Sequence, residues 1–148
     1  MPMQKYKIEY FHPLTIVDRW DELLPHIERL VGMSNGEFTN DSIRDRAVSG
    51  NSVLVAVSKD DKIIAVTTAE VVSYDSGLRS LLIPIVCGDE FMSWAPEWFE
   101  KMKELAVKFN CTELRGMAAR DGWIRLLKPY GWHENHVVIT CQLNEELK

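Results

Sequence analysis

The chain has 148 residues, 46% of them hydrophobic and 26% charged, which suits one ordinary globular domain spanning residues 1–148 and excludes a disordered or fibrous protein. Seventeen Lys and Arg against twenty-two Asp and Glu leave a formal charge of −5, the wrong sign for a dedicated nucleic-acid binder. The longest apolar stretch, Leu81 to Cys87, is far short of the ~20 residues that span a bilayer, and Lys5, Lys7 and Glu9 near the start leave no apolar core for a secretory signal. No membrane association and a cytoplasmic location are therefore expected.

Tyr6 to Tyr10 alternates apolar and charged residues, the period of a half-buried strand. Ile16, Trp20, Leu23, Ile27 and Leu30 then recur at three and four, predicting a helix or helix pair that Pro25 should kink or split and Gly32 should stop. Thr39-Asn40-Asp41 opens a shorter helix with Ile43 and Ala47 inward, closed by Ser49-Gly50. Ser52 to Ser58 and Ile63 to Tyr74 form a hairpin about the polar turn Lys59 to Lys62. After the turn Asp75-Ser76-Gly77, Ser80 to Cys87 has the continuous apolar character of a strand buried on both faces. Pro84 inside it cannot donate to a ladder and predicts a bulge or a parting of neighbours.

From Ser93 the period is helical again, with Trp98, Met102, Leu105, Ala106 and Phe109 on one face, Pro96 in the first turn and Asn110 as the stop. Thr112 to Met117 is a short strand. Asp121 caps a helix carrying Trp123, Leu126, Leu127 and Tyr130, ended by Pro129 and Gly131, and His136 to Leu143 closes the chain as a strand. The late strand–helix–strand alternation implies parallel neighbours joined by crossovers, and the earlier hairpin implies antiparallel ones. The fold class is thus α/β, a mixed and mostly antiparallel sheet with a parallel strand pair and helices on both faces. Cys87, Cys111 and Cys141, odd in number and without a CxxC pair, are expected to be buried reduced thiols.

This order of elements resembles the GNAT superfamily of N-acyltransferases, in which a splayed central pair of parallel strands admits acetyl-coenzyme A. Gly36-Glu37-Phe38-Thr39, Asp60-Asp61, Arg79 to Ile83, Asn110-Cys111 and Arg120 to Arg125 resemble small GNAT-like proteins of bacteriophages. Arg125 to Trp132 is similar to the family's late helix and its terminal Gly-aromatic pair.

The resemblance places the coenzyme against Ile85, Val86, Cys87 and Gly88 at the end of the buried strand, with Ser93 at the following helix start. The family cradles the pyrophosphate there on backbone N–H groups, in a loop of pattern Arg/Gln-x-x-Gly-x-Gly/Ala. In this chain only Gly88 is present. Phe91, Met92 and Trp94 stand where small residues are expected, and Asp89, Glu90 and Glu97 would satisfy the helix start in place of a phosphate.

The family's proton-donating tyrosine, four residues before the Gly of the Gly-aromatic pair, falls on Leu127, which leaves Tyr130 as the candidate acid. Glu70, in the long strand before Tyr74, is the candidate base. Arg115, Arg120, Arg125 and Lys128 form a basic group that suits the coenzyme's 3′-phosphate, an acidic partner or a plain solvated face. His133 and His136 would point to opposite faces of an extended segment, so no metal site is expected.

Trp94 and Trp123, near helix starts, are expected half exposed, as on partner-binding surfaces. The expectation drawn from these residues is a GNAT-shaped, phage-encoded module with a degenerate acetyl-coenzyme A site. It would bind an unidentified protein or a second copy of itself, in the host cytoplasm or the virion. The alternative is an acetyl-coenzyme A-dependent N-acyltransferase acting on a small amine or a protein amino group.

Overall fold

The computed structural model describes residues 6–34, 36–84, 90–117, 125, 127–136 and 138–143. The chain divides into two compact units, Met1–Met117 and Ala118–Lys148.

The first unit is built on a five-stranded sheet in chain order, β1 (Tyr6–Phe11), β2 (Ser52–Lys59), β3 (Lys62–Ser73), β4 (Arg79–Ile83) and β5 (Glu113–Gly116). The first three pairings are antiparallel, and β4 with β5 is parallel, Ser80 opposite Glu113 and Ile83 opposite Gly116. This is the mixed sheet predicted from the order of elements. β2 and β3 turn at Asp60 and Asp61, both at positive φ as a two-residue hairpin demands, and a bulge follows Val57.

Alternation along the strands sorts their side chains onto two faces. Leu54 and Ala56 of β2 with Ile63 and Val66 of β3 meet helices α1 (Pro13–Asp18), α2 (Trp20–Gly32) and α3 (Asn40–Ser49) in one core, through Ile16, Leu23, Ile27, Leu30, Ile43 and Ala47. On the other face, α4 (Phe91–Lys108) crosses from β4 to β5 and lays Trp94, Trp98, Phe99, Met102, Leu105 and Ala106 against the sheet. The buried indole Nε1 of Trp98 donates to Thr67 Oγ1 on the central strand at 2.9 Å. Helices therefore cover both faces, as expected.

Several boundaries differ from the sequence reading. The long helical run breaks at Arg19, not at Pro25, which lies inside α2. The carbonyl that Pro25 crowds belongs to Asp21 in the first turn, and burial of Leu23, Ile27 and Leu30 offsets the cost of about 3 kcal/mol. Arg19 instead leaves helical geometry and forks onto Glu22 at 3.0 and 2.9 Å. α3 begins with a capping box between Thr39 and Ser42 and ends on Gly50 in left-handed geometry, both where the residue types place them. α4 starts at Phe91, so Pro96 lies in its second turn rather than its first. β4 stops at Ile83, short of the predicted Cys87, because Pro84 has no N–H with which to continue the ladder.

In the second unit, Arg125 and Leu127 are helical, Lys128–Tyr130 forms a 3-10 turn, and Gly131 closes it at φ 89°. The described residues of the predicted strand His136 to Leu143 form no ladder; Val138, Ile139 and Leu143 are 66%, 90% and 91% exposed. Cys111 is buried as expected, whereas Cys141 is exposed. Asp121, Trp123 and Leu126 lie outside the described residues.

Candidate functional site

The parallel pair β4–β5, bridged by α4, is where the resemblance places the coenzyme. Met117 N donates to Ile83 O at 3.3 Å, and Pro84, the next residue of β4, ends the pairing. Four of the expected coenzyme residues, Ile85, Val86, Cys87 and Gly88, lie outside the described residues together with Asp89. The start of α4 is described, and it differs from the expectation in two respects.

First, neither of the described acids, Glu90 and Glu97, caps it. Glu90 occupies the N-cap position in left-handed geometry, φ 60° and ψ 29°, and makes no side-chain cap bond; the first turn holds no acid. Its carboxylate instead meets the first residue of β1 and the last of β2, where Oε1 accepts from Tyr6 Oη at 3.0 Å and Lys59 Nζ donates to both oxygens at 2.9 and 3.2 Å. Glu97 lies a turn and a half further on, beside Ile8. Of the negative charge assigned to the helix start by sequence alone, the Glu90 carboxylate is thus paired with a lysine.

Second, the bulky residues there belong to the core. Trp94 is 0% exposed, so it is not the half-exposed partner-binding indole expected. The Phe91 ring packs edge-on to Trp94 and Trp98, with centroids at 4.8 and 6.1 Å, and only Met92 of the three points outward. The helical period explains this: residues 91, 94, 95, 98, 99 and 102 share the face turned to the sheet. Ser93 is exposed, and its N–H donates to Glu90 O at 2.8 Å.

A coenzyme diphosphate needs main-chain N–H groups at a helix start clear of competing carboxylates. What is described of α4 fits that need, since Glu90 makes no side-chain cap bond and its carboxylate is paired with Lys59.

Glu70 lies on β3 facing the α1–α3 side and is ion-paired with Arg46 of α3, whose guanidinium also lies 5.6 Å from the Phe38 ring centroid. The carboxylate is partly buried rather than fully solvent-facing. Tyr130 and Leu127, the acid candidate and the family's acid position, are half-buried residues of the second unit, and Arg125 there is exposed. His133 and His136 are exposed, and no cluster of metal-ligating side chains occurs among the described residues.

One polar network was missed by the sequence reading. On the face shared with Glu70, the buried Ser80 hydroxyl donates to Glu113 Oε2 at 2.7 Å, and Arg115 Nε donates to the same oxygen at 2.7 Å. Arg115 Nη1 reaches Tyr74 Oη at 3.2 Å, with the guanidinium 4.9 Å from the tyrosine ring centroid. The hydrogen bond to Glu113 holds the Arg115 pKa above its ordinary value. Arg115 is therefore a bonded member of the sheet and not a loose member of a basic group. The readable signal was Glu113-Leu114-Arg115, since residues two apart on a strand share a face. A groove of about 320 Å³ lined by Ile8, Glu97, Glu100, Lys101 and Glu104 lies at the opposite edge of the sheet, away from the parallel pair.

No family model matches the sequence, and no curated protein matches it. Solved structures do share its fold. A ribosomal-protein-alanine N-acetyltransferase from Brucella melitensis biovar Abortus superposes with a TM-score of 0.71 at 10% identity, over 94% of this chain and 99% of that one. An aminoglycoside acetyltransferase from an uncultured soil metagenomic sample, in complex with trehalose, gives 0.69 at 14% identity over 94% and 97%. A predicted acetyltransferase from Clostridium acetobutylicum with acetyl-CoA gives 0.68 at 12% identity over 93% and 96%. The fold of this chain is the GNAT fold.

Proposed function

We propose that this protein is an acetyl-coenzyme A-dependent N-acyltransferase, the reading first held as the alternative. The observation that carries it is the start of α4, where the Glu90 carboxylate is bound to Lys59 and Tyr6 and does not cap the helix. The sequence argument for a ruined phosphate seat rested on acids and on bulky residues there; of these, Glu90 is paired with Lys59 and Trp94 is packed in the core, while Asp89 lies outside the described residues. The acetyltransferase neighbours support the same reading at the level of fold. They bring no support to a phage origin or to a protein-binding role, and burial of Trp94 removes part of the argument for the latter.

Bound acetyl-coenzyme A would supply an acyl thioester open to attack by an amine. Main-chain N–H groups at the start of α4, Ser93 near them, and the stretch from Ile85 to Gly88 would hold its diphosphate and pantetheine. Glu70 is the candidate to receive the proton lost by the acceptor amine. Because Arg46 already engages that carboxylate, an incoming ammonium would compete with the guanidinium for it. The coenzyme leaves as its thiolate, which takes up a proton to give free coenzyme A. The acceptor is a small amine or a protein amino group.

Thermal unfolding with and without acetyl-coenzyme A tests the reading. At a hundred times its dissociation constant the coenzyme adds about 2.7 kcal/mol of stability, which raises the melting temperature measurably. An unchanged melting temperature at millimolar coenzyme would refute the assignment.

A further inference from the structure

β1 lies at one edge of the sheet, and among the described residues its only strand partner is β2. In an antiparallel ladder every second residue turns its N–H and C=O away from the neighbouring strand. The outer side of β1 therefore presents main-chain donors and acceptors that β2 does not use, a template for one more strand. Its side chains fall on two faces. Tyr6, Ile8 and Tyr10 face α4: Tyr6 bonds to Glu90, Ile8 lines the groove beside Glu97 and Lys101, and Tyr10 packs edge-on to Phe109 with ring centroids 6.4 Å apart. Lys7 and Glu9 stand on the other face with Phe11, which belongs to the α1–α3 core. Their side chains are 70% and 39% exposed and approach each other to 3.7 Å, an ion pair of little energetic weight. Tyr6-Lys7-Ile8-Glu9-Tyr10 is its own complement when run backwards, since reversal keeps the apolar positions and exchanges the charges.

We propose that β1 is a dimerisation strand, pairing antiparallel with β1 of a second copy of this chain about a twofold axis through Ile8. That register sets Lys7 opposite Glu9 of the second copy and Glu9 opposite its Lys7, with Ile8 opposite Ile8 and Tyr6 opposite Tyr10. A charged edge, lysine above all, ordinarily discourages strand addition, because the incoming strand brings nothing to neutralise it. A second copy brings the opposite charge at both positions, so the device that repels other strands selects this one. A slip of two residues would set Lys7 against Lys7 or Glu9 against Glu9, and a slip of one would turn the second copy's sheet over. Beside the seam on α4, Lys101 pairs with Glu104 and Lys103 with Glu100, which limits repulsion between the acids of the two helices. Arg19 also lies near Glu9, but its guanidinium is forked onto Glu22. The pairing goes beyond the acyltransferase reading and does not depend on it.

A seam between two six-residue strands is small, so the dimer belongs to the weak class and calls for concentrations up to about 1 mM. Sedimentation equilibrium of the full chain is expected to show the mass rising from one chain towards two across that range. Lys7→Glu makes the edge wholly acidic and should weaken association at least roughly tenfold, because two attractive cross-strand pairs become repulsive. Glu9→Lys makes the edge wholly basic, with the same loss. Mixed in equal amounts, the two variants should form a mixed dimer as tight as wild type or tighter, since each charge again meets its opposite. A melting temperature for each variant reports its folding. Lys7 is largely exposed, so Lys7→Glu alone decides the matter if Glu9→Lys, beside Arg19, does not fold. A wild-type chain that stays monomeric, a Lys7→Glu chain that associates as wild type does, or two folded variants that remain apart on mixing would overturn the proposal.

Discussion

The hydrogen bond between Trp98 and Thr67 fastens the middle of α4 to the central strand, and its removal has a calculable cost. Thr67 is 0% exposed and Trp98 2%, so no water can take the place of either partner. Thr67→Val keeps the branched shape of the side chain but leaves the indole N–H buried without an acceptor, a penalty of about 1–3 kcal/mol. For a chain of this length that corresponds to a fall in melting temperature of about 2–4 °C per kcal/mol. Urea unfolding followed by circular dichroism gives the free energy directly. Trp98→Phe loses the donor as well as ring volume, so it costs more alone. In its presence Thr67→Val should cost about 1 kcal/mol less than in the wild type, because no N–H is left to strand. Strictly additive losses, or a Thr67→Val chain as stable as wild type, would refute the argument that this bond anchors the helix.

Two further outcomes follow from other contacts. Arg79 ties the end of α4 to the sheet, donating from Nε to Asn110 O at 3.2 Å, from Nη2 to Phe109 O at 2.8 Å and from Nη1 to Ser73 Oγ at 2.8 Å. Arg79→Met should lower stability by about 2 kcal/mol in urea titrations, and Arg79→Lys should recover only part of it because an ammonium cannot fork across three acceptors. Burial pushes the Cys111 thiol above its ordinary value of 9.0, against a smaller opposing pull from Arg79. The folded chain then keeps a proton that the unfolded chain gives up. The contribution is full below about pH 9 and is lost as pH rises through the folded value. Between about pH 8 and about pH 10, Cys111→Ala should therefore lose less stability than wild type in thermal melts; parallel losses would show that the thiol plays no part.

What the sequence made legible was local. The β2–β3 hairpin follows from two β-branched runs about a polar turn, and the limits of α3 follow from Thr39 and Gly50, each within a few residues of its partners. Even the inward face of α4 was readable from Trp98 to Ala106. The errors arose where a distant partner decides. Arg19 breaks the first helical run because its conformation and its bond to Glu22 satisfy a turn there, while burial of the apolar stripe overrides the proline. Trp94 is read as a surface indole from its place near the helix start, although it stands four residues before Trp98 and so shares that residue's buried face. Glu90 was read as a cap because nothing nearby in sequence could claim it, and its partners are 31 and 84 residues away. The Ser80–Glu113 bond spans 33 residues and depends on the parallel register, which no local pattern encodes.

That same parallel pairing bears on the order of folding. Antiparallel neighbours β2 and β3 can zip from their turn as soon as it forms, whereas β5 has nothing to align with until α4 has been threaded and docked. The rungs between Ser80–Ile83 and Glu113–Gly116 should thus be the last to close and the first to loosen in native-state hydrogen exchange. Breathing at that seam would give a long, flexible molecule its way in without disturbing the rest of the sheet.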